Sequence, residues 1–305
     1  MSALTLNGPR WVAVRQHRRA LWALPVAVAA ALVAAVALRL LASEPGTLYP
    51  NRWYSMLRIA MEGAGRGMLL LPVLVAAFVA GPMLARETES GTYRLALTQS
   101  TTPKAWLASK TVVAAVVSAG CAAAMIGVYR LGWAPVAGSH QLSWADRGTY
   151  EATGPVIVAY CLLGVGVGAV VGQWLRRTLP AMLVAGGVTG LVLVLFGYLR
   201  WSVLTPVTRT TPLSEYADLA LPRSSFLVDS GLLTATGERL PSWACRERSG
   251  GMGVCPADLQ VTGRYADYHP VSHYWQTQLI ETTTVLALTA LALYTAFRVL
   301  RARRG

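Results

Sequence analysis

Charge is scarce in this 305-residue chain: Lys, Arg, Asp and Glu make up 13% of it, against 54% hydrophobic residues. A water-soluble domain carries roughly 25% charged residues. So little charge cannot coat a water-facing surface, which excludes an ordinary soluble globular protein and leaves much of the exterior to lipid. Lysine is rarer still: Lys104 follows Pro103, Lys110 follows Ser109, and there are no others. A phosphate-cradling P-loop needs Gly-Lys-Ser or Gly-Lys-Thr. The chain has none, so any ATP that drives it is bound by another polypeptide. The histidines are His17, His140, His269 and His273, all in predicted loops or flanks. A hydrolase needs a base held beside a serine or cysteine nucleophile. No such pair is defined here, so no catalytic residue is assigned. Internal repeats and low-complexity tracts are absent as well.

Long apolar runs are what the sequence has in abundance. Leu21–Leu41, Met68–Leu84, Thr111–Tyr129, Pro155–Leu175, Leu179–Leu199 and Leu279–Leu300 each approach the length needed to cross a bilayer core. Lipid offers the backbone no hydrogen-bond partner, so spans of this length are helices. The expected fold is an all-α polytopic membrane protein of about six spans. The first run is too long for a cleaved signal peptide and lacks a convincing cleavage site. Six spans put both termini on one side, and that side collects 14 of the 27 Lys and Arg residues but only Glu87 and Glu89 of the 14 acids. An excess of basic residues in short loops and tails marks the cytoplasmic face. The same rule explains the net charge of +13 without invoking nucleic acid. The chain is therefore expected in the plasma membrane, multi-pass, with both termini cytoplasmic.

Four regions follow. Residues 1–20 hold Pro9–Ala20, which mixes Trp11, Val12 and Val14 with Arg10, Arg15, Arg18 and Arg19. This reads as an amphipathic helix at the cytoplasmic interface, or as a plain basic flank that sets orientation. Residues 21–200 carry the first five spans, with an external loop at 42–67 and a long cytoplasmic loop at 85–110. The other cytoplasmic connection, Arg176-Arg177-Thr178, is a tight turn. Residues 201–278 form an external subdomain rich in Pro, Gly, Ser and Thr. There, Phe226–Val228, Asp229-Ser230-Gly231 and Leu232-Leu233 read as a small hairpin. Residues 279–305 are the last span and a basic tail.

A long loop among short ones is where function concentrates. The loop reads Ala85-Arg86-Glu87-Thr88-Glu89-Ser90-Gly91-Thr92-Tyr93-Arg94-Leu95, then Thr98-Gln99-Ser100, Pro103, Trp106 and Lys110. Ser90 or Thr88 can cap a short helix over Gly91–Thr98. Tyr93 and Leu97 would share its face, a form suited to docking in a groove on a soluble partner. A solvated loop that only obeys the orientation rule is the plainer alternative. A second pattern, Tyr268-His269-Pro270 through Trp275, Gln278 and Glu281, leads into the last span. A third, Arg177-Thr178-Leu179-Pro180-Ala181-Met182, opens the fifth. Together these resemble the permease subunits of ABC-type-2 exporters, those of actinobacteria most of all, over most of the chain.

The resemblance implies a non-enzymatic permease subunit of an ATP-driven exporter. Its coupling residues would be Arg86, Glu87, Glu89, Gly91, Thr92, Arg94 and Leu95, docking on a separate ABC ATPase subunit. It further implies a connecting helix at Arg10–Arg19 and re-entrant helices with an external lid within 200–278. A second permease copy completes a homodimer in membrane lipid. ATP and Mg are held by the ATPase, and the chain itself binds no cofactor or metal. Alternating access, driven by closure of the ATPase pair, is the mechanism that goes with it. A polytopic enzyme acting on lipid or cell-wall precursors and a non-transporting sensor or scaffold are the competing classes.

Individual residues leave alternatives open. Glu281 is the acid inside a predicted span, which points to a gate or substrate contact, or to a carboxylate at the positive end of its helix. Thr284 and its neighbouring threonines either line a translocation path or bond their own helix. Cys245 and Cys255, in the external segment, suggest a disulfide, with a Cys2His2 metal site using His269 and His273 as the sharper alternative. Gly164, Gly168 and Gly172 share one helix face, for packing within the chain or along a dimer seam.

Overall fold

The computed structural model describes residues 18–43, 52–91, 102–139, 142–213, 221–222, 224–245 and 255–302, with side chains from residue 26 onward. It divides into two compact units. A helical unit comprises Met1–Leu142, Asp146–Arg200 and Gln278–Gly305; a sheet unit comprises Ser143–Ala145 and Trp201–Thr277.

The helical unit contains α1 (Arg18–Ala42), α2 (Arg52–Met68), α3 (Leu70–Leu74), a π-helical turn (Val75–Ala80) and α4 (Gly81–Glu89). These are followed by α5 (Pro103–Trp133), α6 (Thr149–Thr153), α7 (Val156–Leu175), α8 (Thr178–Leu199) and α9 (His273–Ala302), which belongs to this unit from Gln278 on. Among the described residues, five helices are long and apolar enough to cross a membrane, and α1 adds a shorter apolar helix over Val26–Ala42. The mostly helical membrane architecture thus matches the expectation. Pro9–His17 of the interfacial-helix assignment lie outside the described residues, and Arg18–Ala20 open α1. The short helix expected over Gly91–Thr98, and with it Thr92, Arg94 and Leu95, also falls outside them, apart from Gly91.

The second span differs from its sequence reading. A loop was expected at 42–67 and a short span at Met68–Leu84; from residue 52 on, one 38-residue helical run extends from Arg52 to Glu89 instead. Its first part, α2, is amphipathic. Leu57, Met61, Gly65 and Met68 are buried at helical spacing, while Arg58 is half-buried and Arg66 is exposed and bonded to Glu62 at 2.7 Å. A search for apolar runs passes over such a helix because its polar face cancels its apolar one. Farther along, the π-helical turn precedes Pro82. The Gly81 amide reaches back to the Ala76 carbonyl, a wider turn than an α-helix makes, and a proline without an N–H follows it.

Helix α7 is buried on nearly all sides because glycine lets backbones touch it. A Cβ on Gly164 would meet the Pro72 carbonyl at 2.8 Å, one on Gly168 would meet Ala80 Cβ at 2.4 Å, and one on Gly172 would meet the Gly81 carbonyl at 2.8 Å. The glycine stripe therefore packs within the chain, against the run from α3 to α4. On the outward faces, Val33, Leu179, Leu183 and Leu191 are exposed, as lipid-facing side chains are.

The sheet unit holds an antiparallel sheet in the order β1-β4-β2-β3, with β1 Val207–Pro212, β2 Phe226–Thr234, β3 Arg239–Pro241 and β4 Val261–His269. Strands thus stand where the resemblance implied re-entrant helices. The expected hairpin at 226–233 is a single strand. Gly231 serves close strand approach instead of a turn: a Cβ there would lie 2.2 Å from the Leu240 carbonyl of β3. Asp229 sits at a register shift in β2, where it accepts the Tyr265 hydroxyl at 3.0 Å. Arg239 bonds Asp267 of β4 at 2.7 Å.

The α7 seam makes a direct prediction. Gly168→Ala is expected to force the two backbones apart and to cost about 1–3 kcal/mol, measured as a lower melting temperature of the purified protein in detergent. Gly187→Ala, whose Cβ would meet open space, is expected to leave that temperature unlowered.

Candidate functional site

The described part of the 85–110 connection is a rigid base. Thr88 returns its hydroxyl to the Ala85 carbonyl at 2.8 Å, and α4 closes with the Ser90 amide on the Arg86 carbonyl at 3.0 Å. Gly91 follows at φ +71°, the left-handed conformation that stops a helix and that glycine adopts without strain. On the other side, Thr102 caps α5 by accepting the Ala105 amide at 3.3 Å, with Pro103 as its first residue.

Two carboxylates tie this base to other helices. Glu87 accepts the indole N–H of Trp106 at 3.0 Å and the ammonium of Lys110, both on α5. Trp106 is buried among Leu84, Leu107, Ala169 and Ala296, so the pair is fixed on an apolar bed. Glu89 accepts the Thr178 amide at 2.9 Å and its hydroxyl at 2.5 Å. That amide is one of the unpaired donors at the start of α8, where a negative charge also meets the positive end of the helix. Arg86 is exposed. Glu87, half-buried, and Glu89, exposed, are therefore each tied to a neighbouring helix, while Gly91 ends the described base.

At the other end of α8 lies a charged cluster. Arg200 follows the helix and reaches Glu281 of α9 with Nε to Oε2 at 2.7 Å and Nη2 to Oε1 at 2.9 Å. The same guanidinium bonds Glu151 of α6 at 2.8 Å. All three are buried: Glu151, Arg200 and Glu281 are 1%, 4% and 5% exposed. The Tyr160 hydroxyl donates to Glu281 at 2.6 Å, and the Arg200 guanidinium carbon stands 3.8 Å from the Tyr150 ring centroid. Glu151 also accepts the Gly148 amide at 2.7 Å, at the start of its own helix. One helical turn before Glu281, Gln278 donates to the Tyr150 carbonyl at 2.8 Å and accepts the Val156 amide at 3.3 Å. Thr284 is exposed, and its hydroxyl bonds the Ile280 carbonyl of its own helix at 2.8 Å.

Sequence reading singled out Glu281 but missed Glu151, Arg200 and Tyr160. The signal was present. Glu151 lies just before one predicted span and Arg200 just after the next, so the six-span topology brings both to the membrane face where Glu281 lies.

In the sheet unit Cys245 and Cys255 are disulfide-bonded, with Cα atoms 4.6 Å apart. Their sulfurs are thus unavailable to a Cys2His2 site. His269 and His273 lie close, Nδ1 to Nδ1 at 3.0 Å. His269 is 1% exposed, stacked on Phe226 and tilted against Trp201. Burial first, and the neighbouring His273 second, hold its pKa below the ordinary 6.5. The folded unit keeps this ring neutral where the unfolded chain takes up a proton. Stability is therefore full above pH ~6.5 and declines as pH falls from there toward the lowered folded value. Thermal unfolding from pH 7.5 to 5 is expected to show that loss, and His269→Phe, which retains the aromatic stack, is expected to flatten it.

Comparison with known proteins gives one family. A family model described as ABC-2 membrane transporter related matches residues 47–200. That span holds the base at Glu87 and Glu89, the α7 seam, Glu151 and Arg200. No curated protein and no solved structure matches the chain.

Proposed function

Because the chain belongs to the ABC-2 membrane transporter related family, we propose that it is the permease subunit of an ATP-driven exporter, forming the translocation path and drawing its motion from a separate ATPase subunit. Family membership implies association with an ABC ATPase. The two lysines and the missing P-loop support placing ATP and Mg on that partner. In this reading two permease copies pair in the plasma membrane, with the basic loops and both termini on the cytoplasmic side.

The observation that carries the proposal is the fixed base of the 85–110 connection. A lever must be stiff at its root. Glu87 ties α4 to α5, and Glu89 ties it to the first turn of α8. Motion applied by an ATPase to the connection would pass into three helices at once. Helix α8 has 22 residues, about 33 Å at 1.5 Å per residue, so a shift at Thr178 is delivered across the bilayer core to Arg200. Closure of the nucleotide-bound ATPase pair would then open the far end of the paired permeases. Glu281 belongs to the gate at that end, since its carboxylate is engaged by Arg200 and Tyr160. Thr284, exposed on α9, is assigned to the path.

The test is reconstitution with the partner ATPase in lipid vesicles. Gly91→Val, which strains the left-handed position, and Arg94→Ala are each expected to lower ATP-dependent export at least about tenfold while membrane insertion and melting temperature stay close to the parent. Full export by both variants at normal ATPase abundance would refute the coupling role. A purified chain that turns over lipid precursors without nucleotide would refute the permease reading itself.

A further inference from the structure

The Arg200 cluster is more elaborate than stability requires. Inside a membrane protein, apolar side chains of similar size hold helices together at least as well as a buried ion pair, because both charges must give up water. Here one guanidinium is shared by two carboxylates, and a Tyr160 hydroxyl and the Tyr150 ring are added to it. Such a group has two discrete arrangements. When dry it is paired, and separating its members leaves charges stranded at high cost. When wet its members are hydrated, and separation costs little.

The cluster also sits at a junction in the chain. Arg200 is the last residue of the helical unit before Trp201–Thr277, and Gln278 is the first after that segment. Arg200 to Glu281 therefore staples the departing end of α8 to the returning helix α9, while Glu151 adds α6, which leads into α7. Beside the ions runs a neutral seam. Gly154 lies so close to the Gln278 carboxamide that a Cβ would stand 2.2 Å from it, and Gln278 bonds both the Tyr150 carbonyl and the Val156 amide. Three segments thus meet at one point, where they separate together or not at all.

We propose that Glu151, Arg200 and Glu281 form a charge lock that holds the ends of α7, α8 and α9 together in the resting permease and breaks when water enters that end to release substrate. This rests on the transport reading above, and it makes the lock a positioning device that need not touch substrate.

The experiment has two arms. In the first, hydrogen exchange is followed on the full chain alone in lipid nanodiscs. Glu281→Gln is expected to speed exchange about 100-fold at the Arg200 end of α8 and the first turns of α9, with the interior of α7 unchanged. In the second, the apolar triple Glu151→Leu, Arg200→Met, Glu281→Leu is reconstituted with the ATPase. It is expected to melt no lower than the parent yet to export at least about tenfold more slowly while ATP hydrolysis continues. Unchanged exchange in Glu281→Gln, exchange raised evenly through the bundle, or parental export by the triple variant would each overturn the lock. If the triple variant fails to insert, the exchange pattern of Glu281→Gln decides alone. A parent complex without ATP-dependent export would defeat the transport reading, and the exchange arm would still judge the cluster.

Discussion

Backbone contact between α7 and the run from α3 to α4 is the constraint on which the rest of the helical unit depends. Three glycines spaced by one turn leave no side chain between the helices, so Pro72, Ala80 and Gly81 lie directly on α7. This contact brings α4 beside α5 and α8, and only then can Glu87 reach Trp106 and Lys110 and Glu89 reach Thr178. The polar anchors are consequences of an apolar seam. In lipid, where apolar burial gives no drive for helices to associate, close packing supplies what the hydrophobic effect supplies in water.

The two charged groupings lie at opposite ends of α8, and they solve different problems. At Thr178 a carboxylate settles an unpaired helix amide, and a second carboxylate shares an indole and an ammonium near the surface. Partial exposure there keeps desolvation modest. At Arg200 the charges are almost wholly withdrawn from solvent, so every lone pair and donor has to be met locally. The density of partners around Arg200 follows from that requirement: two carboxylates, an aromatic face, and a tyrosine hydroxyl on one of those carboxylates.

The apolar helices were legible in the sequence because lipid imposes a single simple criterion, an unbroken apolar length. Helix α2 was hidden because it alternates Leu57, Met61 and Gly65 with Arg58, Glu62 and Arg66, so its mean composition resembles a loop. Gly231 misled for a different reason. Glycine marks turns and close strand contacts alike, and only the position of Leu240 across the sheet separates the two. Glu281 was visible as an acid among apolar residues, whereas Arg200 and Glu151 stood at span borders where charges are ordinary. Their pairing depends on which helices are neighbours, which no local pattern encodes. The cysteine pair was legible because two cysteines ten residues apart, in a segment expected to be external, leave few options, and the histidines were not, since their closeness comes from the fold of β4 into α9.

The π-helical turn at Val75–Ala80 carries a consequence for chain-length variation. It accommodates one more residue than an α-helical turn, and each residue of an α-helix advances the azimuth by about 100°. Removing a single alanine from this uncharged stretch would let the turn relax to an α-helix, and Glu87 and Glu89 would keep their aim at α5 and α8. The same deletion in the regular helix between Gly81 and Glu87 has no spare residue to absorb it and would swing both acids by roughly that angle. The π-helical turn is thus the one place in this run where the chain can lose a residue without turning the acids away from their partners.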